Sequence, residues 1–410
     1  MKYDYNNIDK ENLKQMRATA KDLMAEVKDE SAEVMWETWK TSCCKMRDEY
    51  IPVMKKSKKA WMTSEILELM EDRRKHKHDE MEYKELDKRV KEKCQVAKQN
   101  YLDEQCQQIE RFHNIHPKES HQMIKAATGK HRGNHSGSVL KDESGKILIE
   151  DSEILERWER YIAELYDDPT RDSTTMNFSG NLTGHKILRS EIEMALKTMK
   201  TGKAAGEDGI TVELYRKLGD ASIDFLTSLT NKIYEKGEIP EELRRSVFVA
   251  LPKKPRAQEC QYFRTISLMN HATKIIQKVL HNRMKKTIRS EINDCQFGFM
   301  PDRGTRNAIV TLRCIAERCL EVNQNLYCCF IDYTKAFDRI QHNILMEILC
   351  DLDMSDKDLR LVQNMSFNQS ASIRHNGKVS GQVPIKRGVR QGDYFPRLLL
   401  SLLRDDPERN

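Results

Sequence analysis

Leu326-Tyr-Cys-Cys-Phe-Ile-Asp-Tyr-Thr-Lys-Ala-Phe-Asp-Arg339 is the stretch on which the fold turns. Its first seven residues read as a buried strand ending on an acid, Asp332, which makes Cys328 and Cys329 strand core. A polar turn follows. A helix is then expected to carry Phe337, Ile340, Ile344, Leu345 and Ile348. This puts one carboxylate at a strand tip, a place from which metals and phosphates are held. The competing reading makes the same acid a cap for the following helix. A single carboxylate binds Mg2+ poorly, so the rest of the chain has to decide between them.

Composition narrows the classes. The chain has 410 residues, enough for two or three domains, with 38% hydrophobic and 33% charged residues. The formal net charge of +6 is a weak argument for an anionic partner, and the placement of the basic residues matters more. The polar start, Met1 to Lys10, is unlike a signal peptide, and no apolar run approaches the ~20 residues that span a bilayer. An intracellular protein without a membrane segment is expected. Its 11 cysteines then read as thiols, and the absence of a Cys-x-x-Cys pair argues against a zinc site.

Outward from the opening stretch, the chain divides into three expected regions. Residues 1–130 read as a charged helical arm, with a nearly unbroken helical pattern from Ser64, a candidate cap, to Arg111. Lys55, Lys56, Lys58 and Lys59 form its most basic run, read either as a solvated face or as a nucleic-acid track. Residues 131–185 connect through an amphipathic helix bearing Ile154, Trp158, Tyr161 and Leu165, then a polar linker that holds the domain boundary. Residues 186–410 are more regular. A capping box at Ser190 and Glu193 starts a helix. A glycine-rich basic turn runs from Lys200 through Lys203 to Gly209. A helix carrying Leu214, Leu218, Phe225, Leu226, Leu229 and Ile233 stops at Gly237. Val247, Val249 and Leu251 alternate as a strand, Arg264 to Leu268 return, His271 to Ile288 form a helix, and Asn376-Gly377 marks a hairpin. The class is therefore α+β, a mixed or antiparallel sheet backed by helices.

Taken singly, these pieces leave the chemistry open. The glycine-rich turn lacks Walker spacing and reads as a cap with a tight turn. Lys253 and Lys254 in a hairpin loop, with Arg264 on the returning strand, either converge on a polyphosphate or decorate a solvated tip. Their order is more telling. Gly202-Lys-Ala-Ala-Gly-Glu-Asp-Gly-Ile210, Phe263-Arg-Thr-Ile-Ser-Leu268, Gln296-Phe-Gly-Phe-Met-Pro-Asp-Arg-Gly-Thr305, Phe330-Ile-Asp-Tyr-Thr-Lys-Ala-Phe-Asp338 and Arg387-Gly-Val-Arg-Gln-Gly-Asp393 follow one another over about 200 residues. This series resembles the reverse transcriptases of non-LTR (LINE-type) retrotransposons, closest to the RTE-like group. Thr265 stands where the family has Pro, and Met300 where it has Arg.

The resemblance implies a helical N-terminal arm followed by the fingers and partial palm of a right-hand polymerase. It implies that Asp332 is the first metal-binding aspartate, assisted by the backbone carbonyl of Ile331 or Tyr333, with Mg2+ as cofactor. Phe337 would exclude a ribose 2′-hydroxyl. Lys253 and Arg264 would grip the incoming triphosphate, and Gln391 and Gly392 would line nucleotide and template. Lys55, Lys56, Lys58, Lys59, Lys200 and Lys203 would contact nucleic acid. The implied partners are an RNA template, a DNA primer and dNTPs. The match ends just past the last motif: the family's Ser is missing after Asp393, and no aromatic-Ala-Asp-Asp block follows. Asp405-Asp406 come too soon to replace it. The resemblance thus implies a truncated polymerase fragment, inactive alone, that lacks the second palm aspartate. The alternatives are a non-catalytic nucleic-acid binder and a partly folded transposon relic.

Overall fold

The computed structural model describes residues 3–53, 59, 61–113, 120–121, 123–124, 139–171, 176–352 and 354–390. Two compact units divide the chain, one of Met1–Tyr3 with Val53–Gly137 and one of Asp4–Pro52 with Ser138–Asn410. The expected 1–130 arm is therefore shared between them. The reason lies in two amphipathic helices, Lys10–Val27 and Ala32–Tyr50, whose buried faces include Met16, Leu23, Trp36, Trp39 and Met46. These faces pack on the Val212–Leu218 and Asp220–Lys236 helices, far along the chain. Trp39 stacks on Phe225 with ring centroids 4.0 Å apart and planes 6° from parallel.

The first unit contains a hairpin of two packed helices, Ser64–Lys75 and Glu80–His113. The single long helix of the sequence pattern breaks at His76 to Asp79 although no glycine or proline stands there. Asp79 supplies the reason, its carboxylate accepting the N–H groups of Met81 (3.1 Å) and Glu82 (3.2 Å). The first helix is capped by Thr63, which accepts from Ile66 N–H at 3.4 Å, one residue ahead of the expected Ser64. Only Ile66 and Val90 are buried on these two helices, and Arg73–Asp87 and Lys93–Glu65 pair across them.

The second unit is built on a mixed sheet, so the α+β class is observed. A short hairpin, β1 (Leu140–Lys141) and β2 (Ile147–Leu148), precedes the Asp151–Tyr166 helix. The main sheet comprises β3 (Arg245–Pro252), β4 (Phe263–Leu268), β5 (Gln369–His375), β6 (Lys378–Val379) and β7 (Val383–Ile385). Its order is β4-β3-β5-β6, with β7 also on β5. The β3–β4 and β5–β6 hairpins are antiparallel and β3–β5 is parallel. Alternation assigns the faces. Phe248 and Phe263 lie on the face covered by the Asp151–Tyr166 helix, which buries Trp158, Ile162 and Tyr166 against them and against Ile373 and Val383. At roughly 25 cal/mol per Å2 of apolar area removed from water, such a cluster contributes substantially to the stability of the sheet.

Other boundaries shift for local reasons. The Arg189–Thr198 helix is closed by Glu191, whose carboxylate accepts Leu188 N–H at 2.8 Å, in place of the expected Ser190 and Glu193 pair. The helix expected from Leu214 to Ile233 splits at Gly219 (φ +66°) into Val212–Leu218 and Asp220–Lys236, ending at Gly237 as expected. The His271–Ser290 helix follows β4. Gly206 has no room for a side chain: a Cβ there would lie 2.2 Å from Asn270 Oδ1 and 2.5 Å from Asn270 N.

The opening stretch departs furthest from its reading. Residues 324–333 form no strand. Tyr327, Phe330 and Ile331 are 88%, 84% and 77% exposed, and Cys328 and Cys329 are exposed too. A strand exists only where a neighbour accepts its backbone hydrogen bonds, and among the described residues none lies beside this one. The preceding Thr305–Glu321 helix likewise buries none of its residues. The helix expected from Phe337 onward becomes a 3-10 turn, Ala336–Asp338, and a later helix, His342–Cys350.

Candidate active site

Sequence-distant segments meet at the Ala336–Asp338 turn. Val389 N–H donates to Phe337 C=O (2.8 Å) and Gly388 N–H to Ile340 C=O (2.7 Å). The ring of His342 approaches Gly388 C=O at 2.8 Å through Nε2. Phe299 meets Phe337 edge to face, centroids 6.0 Å apart. The Phe263 to Leu268 motif joins through Thr265, whose hydroxyl lies 3.4 Å from that of Tyr166, and Tyr166 donates to Asp338 Oδ1 at 2.9 Å. Four of the five motifs read from the sequence therefore converge, with Tyr166 from the upstream helix as a fifth contributor.

Gly388 is where glycine is required. Its φ is +84°, and a Cβ would lie 2.7 Å from Asp338 O and 2.9 Å from Asp338 C. Gly388→Ala is expected to cost about 2–4 kcal/mol of stability in urea denaturation. Gly377→Ala serves as the reference: φ is +82° but nothing lies within 4 Å, so only the left-handed backbone cost of about 1 kcal/mol is expected. Equal losses at both positions would mean that Gly388 does not approach the turn.

A cationic corner flanks the turn. Lys335, in a left-handed conformation with φ +56°, donates to Tyr161 OH and lies 4.5 Å from that ring's centroid. Burial pulls the Lys335 ammonium below its usual range; Lys253 and Arg339 push the same way and Asp338 opposes them. Burial likewise raises the Tyr161 phenol to about 12. Lys253 itself sits in the β3–β4 loop, its ammonium donating to Gln261 C=O at 3.2 Å. Its N–H donates to Tyr262 C=O (2.8 Å), while Lys254 covers the Tyr262 ring. Arg264 is exposed on β4, opposite Leu251 in the register.

The remaining candidates are scattered. Asp332, Ile331 and Tyr333 are exposed on the unpaired segment. Phe337 is half-buried. Lys200 and Lys203 are exposed on the glycine-rich turn, and Lys59 in the other unit lies 5.6 Å from the Trp61 ring centroid. Lys55, Lys56, Lys58, Gln391 and Gly392 lie outside the described residues. Tyr166 carried no sequence signal beyond its helix, and Lys335 and Asp338 were legible only as motif members.

Residues 251–400 match the family model described as reverse transcriptase (RNA-dependent DNA polymerase). A transposon TX1 protein of 149 kDa from Xenopus laevis is 28% identical over 217 residues, 53% of this chain and 16% of that protein. The RNA-directed DNA polymerase from mobile element jockey of Drosophila funebris is 26% identical over 244 residues, 58% of this chain and 26% of that one. The Pol polyprotein from type-2 retrotransposable element R2DM of Drosophila melanogaster is 22% identical over 295 residues, 70% and 27% respectively. The chain carries a non-LTR retrotransposon reverse transcriptase domain. It spans about a sixth to a quarter of the length of these curated relatives.

Reverse transcriptases generally use Mg2+. In this reverse transcriptase domain the fit of that ion is incomplete. Asp332 is exposed on a segment without strand partners, and among the described residues no group of three or more His, Cys, Asp or Glu side chains is placed to hold a metal. One carboxylate does not supply the convergent oxygen ligands that two ions need. No helix of the described residues is long and apolar enough to cross a membrane.

Proposed function

We propose that residues 186–410 are the fingers and part of the palm of an RNA-directed DNA polymerase, and that this chain by itself has negligible polymerase activity. The meeting of Phe299, Phe337, Gly388 and Thr265 around one turn carries the first half, because it joins the ordered motifs of the family in space. On this reading Phe337 rejects a ribose 2′-hydroxyl. Lys253 and Arg264 hold the triphosphate, Asp332 is a metal ligand, and Gln391 and Gly392 contact nucleotide and template. The substrates are an RNA template, a DNA primer and dNTPs.

The isolation of Asp332 supports the second half. Phosphoryl transfer depends on charge stabilisation that a lone exposed carboxylate does not provide, and its shortfall costs orders of magnitude in rate. Primer extension on an RNA template with Mg2+ and dNTPs is therefore expected to show no incorporation above background. Incorporation that Asp332→Asn abolishes would overturn the inactivity and uphold the polymerase assignment.

Nucleic-acid binding is a separate property, favoured by the exposed side chains of Lys200, Lys203, Lys253 and Arg264. A primer–template duplex is expected to bind at low salt and to be released as salt rises, since phosphate contacts displace counterions. No binding at low salt would remove both the polymerase reading and the simple binding reading.

A further inference from the structure

The Tyr166 hydroxyl belongs to a side chain that lies well before residues 251–400, yet it reaches their centre. Tyr166 ends the Asp151–Tyr166 helix and is buried with its ring tilted on Phe248, centroids 5.7 Å apart. Its hydroxyl donates to Asp338 Oδ1 (2.9 Å). The three residues at this helix end hold the other chain segment too. Leu165 C=O accepts from Arg387 Nε (3.0 Å), Tyr166 C=O from Lys386 N–H (3.1 Å), and the Asp167 carboxylate pairs with Lys386 Nζ (2.8 Å).

Asp338 is the point where these holds bear on the turn. It is 6% exposed, in a 3-10 turn whose backbone Gly388 approaches too closely for any Cβ. Phe337, the adjacent residue, accepts from Val389 N–H. A buried carboxylate that loses a donor loses part of the compensation for its desolvation, so the turn shifts.

We propose that Tyr166 is a positioning residue, which acts through Asp338 to hold Phe337 in register with Gly388 and Val389 and thereby sets the sugar gate. The proposal rests on the polymerase reading for the gate, but the clasp itself does not depend on that reading. Helix Asp151–Tyr166 is thus part of the working unit, rather than a connector leading into it.

Hydrogen exchange followed by mass spectrometry on the full chain tests the clasp without any nucleotide. In Tyr166→Phe, which keeps the ring, amide exchange across residues 386–390 is expected to rise roughly ten- to hundredfold, the loss of one charge-assisted hydrogen bond. Amides of the β3–β4 hairpin should stay unchanged. Asp338→Asn should give a similar rise, and the double variant no more than either single one. Unchanged exchange in Tyr166→Phe, or additive effects in the double variant, would overturn the proposal. Competition binding of dATP against ATP then tests the gate: Tyr166→Phe and Phe337→Val should both erode any preference for the deoxynucleotide. Erosion in Phe337→Val alone would overturn the positioning role and leave the polymerase reading standing. A preference that Phe337→Val does not alter would overturn the gate, and with it the polymerase reading of this turn, whatever the exchange data show.

Discussion

Replacing Trp39 by alanine is expected to lower the unfolding free energy by about 3–5 kcal/mol, read as an earlier urea midpoint at unchanged slope. Trp39 is fully buried and stacked on Phe225, itself fully buried, so the change opens a cavity between two helices. The lower end of that range is expected, because Trp39 Nε1 is buried without a hydrogen-bond partner among the described residues and its removal relieves that cost. Trp36 differs: its Nε1 donates to Glu242 Oε2 at 2.8 Å, so Trp36→Ala also strips a donor from a carboxylate and belongs at the upper end. Exposed Ile309 supplies the contrast, with Ile309→Ala expected within about 0.5 kcal/mol of the parent. A loss below about 1 kcal/mol at Trp39 would mean that the first helices do not pack on the rest of their unit in solution.

Asp208→Asn is expected to remove one component of the pH dependence of stability. Burial raises the Asp208 carboxyl from its ordinary 3.8 to about 7; the Ile210 N–H opposes this, Glu242 adds to it, and Lys40 and Lys274 oppose it. Cys43 and Cys44 face it from the Ala32–Tyr50 helix, and Tyr215 from the Val212–Leu218 helix. Above the unfolded value the unfolded chain releases this proton while the fold keeps it. Stability from this group is therefore fully present below about 3.8, falls as pH rises, and levels off above about 7. The difference of 3.2 pH units corresponds to roughly 4 kcal/mol.

Two histidines act in the opposite sense. Burial lowers His271 and His342 from 6.5 to about 4, so each weakens the fold as pH drops from 6.5 toward 4. They mask Asp208 in the parent curve, and the difference between parent and variant isolates it. Asparagine mimics the protonated acid, so the stability of Asp208→Asn relative to the parent should rise between about pH 4 and pH 7 and level off above that. Parallel stability curves would show that Asp208 ionises normally in the fold.

Some elements were legible because their signals are local. The alternation of Val247, Val249 and Leu251, the Asn376-Gly377 turn and the Ile154 to Leu165 stripe each describe a surface that one segment makes on its own. The corresponding β3, β5–β6 hairpin and Asp151–Tyr166 helix formed where expected. The stretch from Leu326 to Asp332 is as apolar as β3 and reads as a strand by the same criteria. It has no neighbour to pair with among the described residues, and no strand formed.

By itself, the sequence determined the family and the order of its motifs, because both are properties of residue identity along the chain. Only the tertiary structure decided that Asp4–Pro52 join the second unit, that among the described residues Asp332 stands apart from other ligands, and that Tyr166 and Asp338, 172 residues apart, share a hydrogen bond. Strand pairing and buried donor–acceptor matching are settled between distant segments. Their energies depend on which backbone and side-chain groups lose water together, and no single segment carries that information.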